Sequence, residues 1–214
     1  MEKLAPHHLA LIPAGNRRWA QSRQLDTVHG HAAGVLGLSS IVAAAWDAGV
    51  DVVTVWLGSA EDFEARRRVE IGVLADWLAT DGAALLRRYK ARFDMLGLWE
   101  EVSPQLSVGA DVMHDNAGDS SKQLVLLCAF DGHKELLAAA RRVDTSDPEI
   151  FRSALWTGHL PPMDLIIRTG DAGGLVSGFP LWFLDGAFFH FCPFPWPEFE
   201  AEDLDSAIEA WRRG

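Results

Sequence analysis

The chain is poor in cysteine, in tyrosine, in positive charge and in long apolar runs. Two cysteines, Cys128 and Cys192, stand among 214 residues. That excludes a disulfide scaffold and a cysteine-built metal site, and both read as buried thiols in a reducing compartment. Nineteen Lys and Arg face 30 Asp and Glu, a net charge of −11. A broad nucleic-acid-binding surface needs the opposite sign. No apolar run approaches the ~20 residues of a membrane span. The N-terminus shows no cationic segment leading into an apolar one, so no secretory signal is expected and the expected location is cytoplasmic. No internal repeat and no linker interrupts the chain, so residues 1–214 read as one domain. One Tyr stands against nine Trp and eleven Phe. Such aromatics build a large core, or wall an apolar cavity beside a greasy ligand or a carbocation.

What is present alternates. His8–Pro13 reads as a strand, and Val28 to Ala48 as a helix stopped by Gly49. Asp51–Leu57 is β-branched and reads as a buried strand. Arg66 to Arg92 has the spacing of a long amphipathic helix, with Val69, Val73, Leu74, Trp77, Leu78, Leu85 and Leu86 on its apolar side. Phe93–Leu96, Gln123–Phe130, Met163–Arg168 and Phe188–Cys192 read as further strands. Asp131-Gly132 opens a helix running to Val143, Asp147-Pro148 a short one, and Ala201 to Trp211 a closing one; Leu181–Gly186 reads as a helical turn. Leu98 to Lys122 carries no clear pattern. Apolar strands alternating with helices predict an α/β fold, a mostly parallel central sheet flanked by helices on both faces. Ligands of such sheets bind at the strands' carboxyl ends. The loops expected there are Ala14–Trp19, Gly58–Phe63, Asp131–His133 and Thr169–Gly174.

The first of these loops carries the most chemistry. An apolar run stops at Pro13; Ala14, Gly15, Asn16, Arg17, Arg18 and Trp19 follow. A strand entering such a turn brings backbone N–H groups and guanidinium groups to one point, which suits phosphate. Further along come His29-Gly30-His31 with Gly34, Ser59-Ala60-Glu61-Asp62-Phe63, Asp164 to Gly170 ending in Arg-Thr-Gly, Phe179-Pro180-Leu181-Trp182, and Trp196-Pro197-Glu198-Phe199.

In this order and spacing the series resembles the cis-prenyltransferases, the undecaprenyl diphosphate synthase family, from about His8 to Trp211. The resemblance implies a parallel-sheet fold with a hydrophobic tunnel, a homodimer, and addition of isopentenyl diphosphate to an allylic diphosphate using Mg²⁺. It implies substrate contacts from Gly15, Asn16, Arg17, Arg18, Trp19 and His31 to the allylic diphosphate, with Arg23 a further contact. Arg168 and Ser177 match the grip on the homoallylic diphosphate. Catalytic roles fall on Asn16, Arg18, His31, Ser59 and Asp62, the last as base, metal ligand or hydrogen-bonding group in place of the family's asparagine. Trp56, Trp77, Phe93 and Trp99 are candidates for the tunnel wall or the core.

The departures matter as much. Ala14 stands where the family has a Mg²⁺-binding aspartate, Phe188 where it has a second Mg²⁺-binding glutamate, and Thr27 where it has an arginine. Asp171 to Val176 lacks the arginine that follows the Arg-Thr-Gly motif, and Arg212-Arg213-Gly214 has the form of the family's C-terminal motif but sits too early. Asp26 and Asp171 are loop aspartates near these gaps. The metal ligands are therefore unknown and Mg²⁺ dependence is in question. Loss of one preorganised stabiliser costs ~3 kcal/mol of barrier. The expectation is an atypical family enzyme that joins short allylic diphosphates head to middle, or cyclises one to a terpenoid. The alternative is an impaired binding or regulatory subunit of a heteromer with an intact homologue. An ordinary polyprenyl diphosphate synthase fits less well.

Overall fold

The computed structural model describes residues 5–170 and 178–214. Its centre is a six-stranded sheet built from β1 (His8–Ile12), β2 (Val52–Gly58), β3 (Arg92–Leu96), β4 (Gln123–Cys128), β5 (Leu165–Arg168) and β6 (Phe188–Phe191). The spatial order is β3-β4-β2-β1-β5-β6 and every pairing is parallel. The expected fold class is thus the observed one.

Alternation along each strand sends side chains to two faces. Leu9, Leu11, Val53, Val55, Leu124, Leu126, Leu165 and Ile167 enter one core, and Ala10, Ile12, Val125, Leu127 and Ile166 enter the other. The first core lies under α2 (Thr27–Asp47), α4 (Arg68–Trp77), α5 (Ala83–Tyr89), α7 (Ser107–Asp115) and α10 (Ala201–Arg213). The second contains Phe130, Leu160, Phe179 and Phe183. α8 (Gly132–Arg142) and α9 (Pro148–Ser153) are capped by Asp131 and Asp147, whose carboxylates accept N–H groups of the first turn. Both cysteines are free and buried, and burial pushes the Cys128 thiol up to about 12.

Several elements differ from the sequence reading. The expected Arg66-to-Arg92 helix is α4 and α5 joined by a π turn at Leu78–Gly82. There a Cβ on Gly82 would stand 3.0 Å from Met113 Sδ, so the widened turn admits α7. Val69, placed on the apolar side, is 54% exposed because it sits in the first turn of α4, before the helix meets the core. Leu98 to Lys122 folds as α6 (Trp99–Val102), a 3₁₀ turn at Pro104–Leu106 and α7, elements too short for a period to show. Among the described residues α2 is long and apolar enough by composition to cross a membrane, contrary to the expectation of no such run. Here it packs against α1 (Asn16–Ser22), α4 and α10.

Strand β1 leads toward β2 and strand β5 toward β6, in opposite directions across the sheet. Their adjacent carboxyl ends therefore form a switch point, where open α/β sheets bind ligands.

Candidate active site

The switch point is held by main chain. The Ala14 N–H donates to Thr169 Oγ1 and that hydroxyl donates to the Ala14 carbonyl, each at 3.0 Å. The same carbonyl accepts the Trp196 N–H at 2.9 Å. Gly15 adopts φ +97°, and a Cβ there would lie 2.8 Å from Pro195 Cβ, so only glycine fits this corner. The expected Ala14–Trp19 loop is largely helix, since α1 starts at Asn16. Gly34 of α2 makes room for Asn16, whose Oδ1 would lie 2.5 Å from a Cβ at position 34. The Gly34 carbonyl also accepts Trp196 Nε1–H at 2.7 Å.

An open cleft of about 650 Å³ lies in front of α1, bounded by Ala14, Asn16, Arg17, Arg18, Trp56 and Arg66 with His31 and Asp62. Behind it lies a chamber of about 430 Å³ that shares Pro13, Asn16, His31, Leu57 and Arg66. Its other walls are Gly34, Val35, Leu38, Glu70, Leu74 and Trp196. His31, Gly34, Val35 and Leu38 follow helical spacing, so one face of α2 passes from polar mouth to apolar wall. A second opening of about 540 Å³ is lined by Arg18, Trp19, Ser22, Arg23, Gly170 and Glu198. Arg18 borders both openings.

The cleft is cationic. Arg66 is largely buried, donates from Nη2 to the Leu57 carbonyl at 2.5 Å and lies 4.3 Å over the Phe63 ring. Burial lowers its pKa, but a guanidinium keeps its charge. Glu70, with a side chain 2% exposed, lies between Arg67 at 3.3 Å and Arg17 at 3.7 Å. Burial alone would raise its pKa; the Thr27 hydroxyl at 2.5 Å, the Arg67 N–H and nearby cations lower it on balance. His31 is lowered to about 4, by burial first and then by Arg66, so it is neutral near pH 7. Its Nε2 and Asn16 Oδ1 are buried without a hydrogen-bond partner among the described residues.

The remaining expected residues divide. Asp62 takes the hydrogen-bonding role: its carboxylate accepts the Ser59 N–H at 2.9 Å and the Ser59 hydroxyl at 3.0 Å, and closes a capping box on α3 (Ala60–Ala65). The expected Gly58–Phe63 loop is thus the start of a helix, and Ser59 caps it at the rim. Arg23 turns away from the first cleft, pairs with Glu198 at 2.8 Å and covers Trp19 at 4.5 Å. Arg168 ends β5, 8% exposed, with Nε buried and unpartnered among the described residues; burial and then the Arg18 charge lower its pKa. Ser177 and Asp171 lie outside the described residues. Asp26 caps α2 and is held at about 2 by its ion pair with Arg67. Of the candidate tunnel aromatics, Trp56 borders the cleft, while Trp77, Phe93 and Trp99 are buried in the core.

Sequence reasoning missed Arg66, Arg67 and Glu70. The signal was there: three consecutive arginines, Arg66 to Arg68, opening a helix in an acidic chain.

Among the described residues the donor set does not fit a resident Mg²⁺. Magnesium takes hard oxygen ligands, usually carboxylates. Position 14 offers a methyl group, and Asp62 and Glu70 are already engaged by Ser59, Thr27 and two arginines. Among the described residues no cluster of three metal-binding side chains occurs. Phe188, paired with the lost Ala14 carboxylate in the sequence comparison, opens β6 level with Leu165 and Leu9. The carboxyl end of β1 at Ile12 lies about 10 Å further along, at ~3.3 Å per residue, and Ala14 lies beyond it. Within one chain the two positions do not share a site. Gly214 covers the Phe188 ring instead, placing the chain end there as well.

A parallel sheet with an arginine-lined cleft at its switch point, and beside it a chamber walled by Leu38, Leu57, Leu74 and Trp196 as well as by His31 and Glu70, has the form of an α/β fold's ligand site. Comparisons with known proteins agree. The prenyltransferase family model described as undecaprenyl diphosphate synthase matches residues 12–214, and the chain belongs to this family. It is 31% identical to an isoprenyl transferase of Geobacter sulfurreducens, over 97% of this chain and 89% of that protein. It is 33% identical to an isoprenyl transferase of Brucella suis, over 97% and 87%. A bifunctional protein CrtB/UppS of Streptomyces coelicolor is 31% identical over 96% of this chain, which spans 39% of that longer protein. Among solved structures, lavandulyl diphosphate synthase from Lavandula x intermedia in complex with dimethylallyl diphosphate superposes with TM-score 0.90 and 25% identity, covering 98% and 96% of the two chains. The protein is an enzyme of prenyl diphosphate transferase type.

Proposed function

We propose that the protein acts on short allylic diphosphates, joining two short prenyl units head to middle or cyclising one to a terpenoid. The juxtaposition that carries this reading is an arginine cleft sharing Asn16, His31, Leu57 and Arg66 with a chamber whose apolar side is Val35, Leu38, Leu74 and Trp196. The chamber is the smaller and more enclosed of the two spaces. Leu38, Leu74 and Trp196 form its apolar side, which suits a short chain. Likeness to a lavandulyl diphosphate synthase solved with dimethylallyl diphosphate supports the same substrate class.

In this reading Arg17, Arg18 and Arg66 receive the diphosphate and Asn16 sits at its base. Ionisation breaks the C–O bond, and the electron pair leaves with the diphosphate. Fixed cations aimed at that developing charge are worth ~3 kcal/mol each. The carbocation is left toward the apolar walls, away from water. Arg168 and Arg18, at the β5 side, serve a second diphosphate, with Ser177 as a further contact. A homodimer belongs to this reading, because β6 is an outer strand on which Phe191 is 51% exposed.

Incubation with dimethylallyl, geranyl and farnesyl diphosphates, with and without isopentenyl diphosphate and Mg²⁺, is the test. Diphosphate release with a branched or cyclic short product is expected. No release from any of these sinks the proposal. A second reading, the regulatory half of a heteromer, draws on the methyl group at Ala14. It predicts co-purification with an intact homologue and a pair more active than that homologue alone.

A further inference from the structure

Any reaction that quenches an allylic cation as an alkene must dispose of a proton, and the cleft's carboxylates are committed elsewhere. Asp62 is bound to Ser59 and caps α3. Glu70 is bound to Thr27, to the Arg67 N–H and to the Arg67 guanidinium, with Arg17 close by. Asp62 lines the cleft alone and Glu70 the chamber alone, so neither stands where the two spaces meet. His31 does: it lines both spaces, and its Nε2 has no hydrogen-bond partner among the described residues.

We infer that His31 Nε2 accepts the proton released when the cation is quenched. This rests on the reading that the cleft ionises an allylic diphosphate. The C–O bond breaks and its electrons leave with the diphosphate. The alkene of the second unit, or of the same chain, attacks C1 and leaves a tertiary cation. A neighbouring C–H then gives its proton to Nε2 of the Nδ1–H tautomer, its electron pair closes the new double bond, and the imidazolium passes the proton to diphosphate oxygen. The charged groups that face the ring are Arg66, Glu70, Arg17 and Arg67. Burial and the three arginines outweigh Glu70, which pulls the other way, and keep the ring neutral near pH 7 and so ready to accept. The incoming diphosphate adds negative charge beside it, which stabilises the imidazolium once formed.

The test separates ionisation from deprotonation in His31→Gln and His31→Ala. General base catalysis contributes 10²–10⁴-fold. Alkene formed per diphosphate released is therefore expected to fall on the order of a hundredfold, with water-quenched alcohol in its place, whatever the variants do to the rate of release itself. Imidazole added to His31→Ala is expected to restore the alkene. Parallel loss of diphosphate release and alkene, unchanged alkene, or failure of imidazole to rescue would overturn the inference. A parent protein that releases no diphosphate at all defeats the underlying reading instead, and shows it before any variant is made.

Discussion

The Thr27 hydroxyl donates a 2.5 Å hydrogen bond to the Glu70 carboxylate, tying the first turn of α2 to the first turn of α4 behind the arginine cleft. Glu70 also accepts the Arg67 N–H, so a buried carboxylate becomes the point at which both helix starts and Arg17 meet. Thr27→Val removes one donor and keeps the shape. Leaving a buried acceptor short of a partner costs about 1–3 kcal/mol. Chemical denaturation is expected to show that loss at neutral pH. Glu70's folded pKa is lowered, so its stabilisation is full above its unfolded value and disappears as pH falls through the folded one. The gap between parent and variant is expected to close in strong acid.

Arg66 is expected to matter for binding. Replacing it with Met keeps much of the packing over Phe63 and removes a buried cation facing the cleft. Hydrogen bonds between charged groups are worth about 1.5–3 kcal/mol, and each 1.4 kcal/mol is tenfold in affinity. Calorimetry with inorganic pyrophosphate should therefore show affinity weaker by about 10- to 100-fold. Affinity within twofold of the parent would refute the placement of Arg66 at the diphosphate.

Ala14→Asp restores a carboxylate to a position whose main chain is already fixed. The variant is expected to gain Mg²⁺ dependence in pyrophosphate binding. Titrations in Mg²⁺ and in EDTA should differ more for the variant than for the parent. Equal differences would show that the site lacks room or partners for the ion.

Leu38 and Leu74 set the depth of the chamber. Trimming both to Ala is expected to shift preference from dimethylallyl toward geranyl or farnesyl diphosphate, read as the ratio of kcat/KM values. An unchanged ratio would mean the chain lies elsewhere.

Glu135 is fully buried, with Oε1 accepting from Thr157 N–H at 2.9 Å and from its hydroxyl at 2.6 Å, and with Oε2 unpartnered among the described residues. Burial raises its pKa against those bonds. A raised acid stabilises the fold below its unfolded pKa and loses that contribution as pH rises through the folded one. Glu135→Gln is therefore expected to melt higher than the parent at pH 8 and to lose that advantage at pH 5. The reverse trend would contradict the assignment.

Much of this was legible because strands buried on both faces leave continuous apolar runs. Gln123 to Cys128 and Val52 to Leu57 announce themselves, and parallel pairing follows from the helices between them. Asn16, Arg17 and Arg18 were legible because one turn gathers them, whereas His31 was legible only through the family resemblance. Arg66 and Glu70 were not, because their place in the cleft depends on how α4 approaches α2, a relation no local pattern encodes. Asp62 borders the cleft and also caps α3, because Ser-x-x-Asp is a helix-start signal as well. Phe188 aligned with a metal ligand, yet register alone sets it at the far end of its strand.

The latch at Ala14 has an evolutionary consequence. Its carbonyl and N–H hold the corner through Thr169 and Trp196, and its side chain holds nothing. Residue identity there can change without disturbing the loop that carries Asn16 to Arg18. Such a position can lose a ligand and acquire one again by single substitutions, each passing through a folded protein. Under the proposed function, the scaffold thereby separates how a diphosphate is grasped from how it is activated, and lets selection act on the second alone.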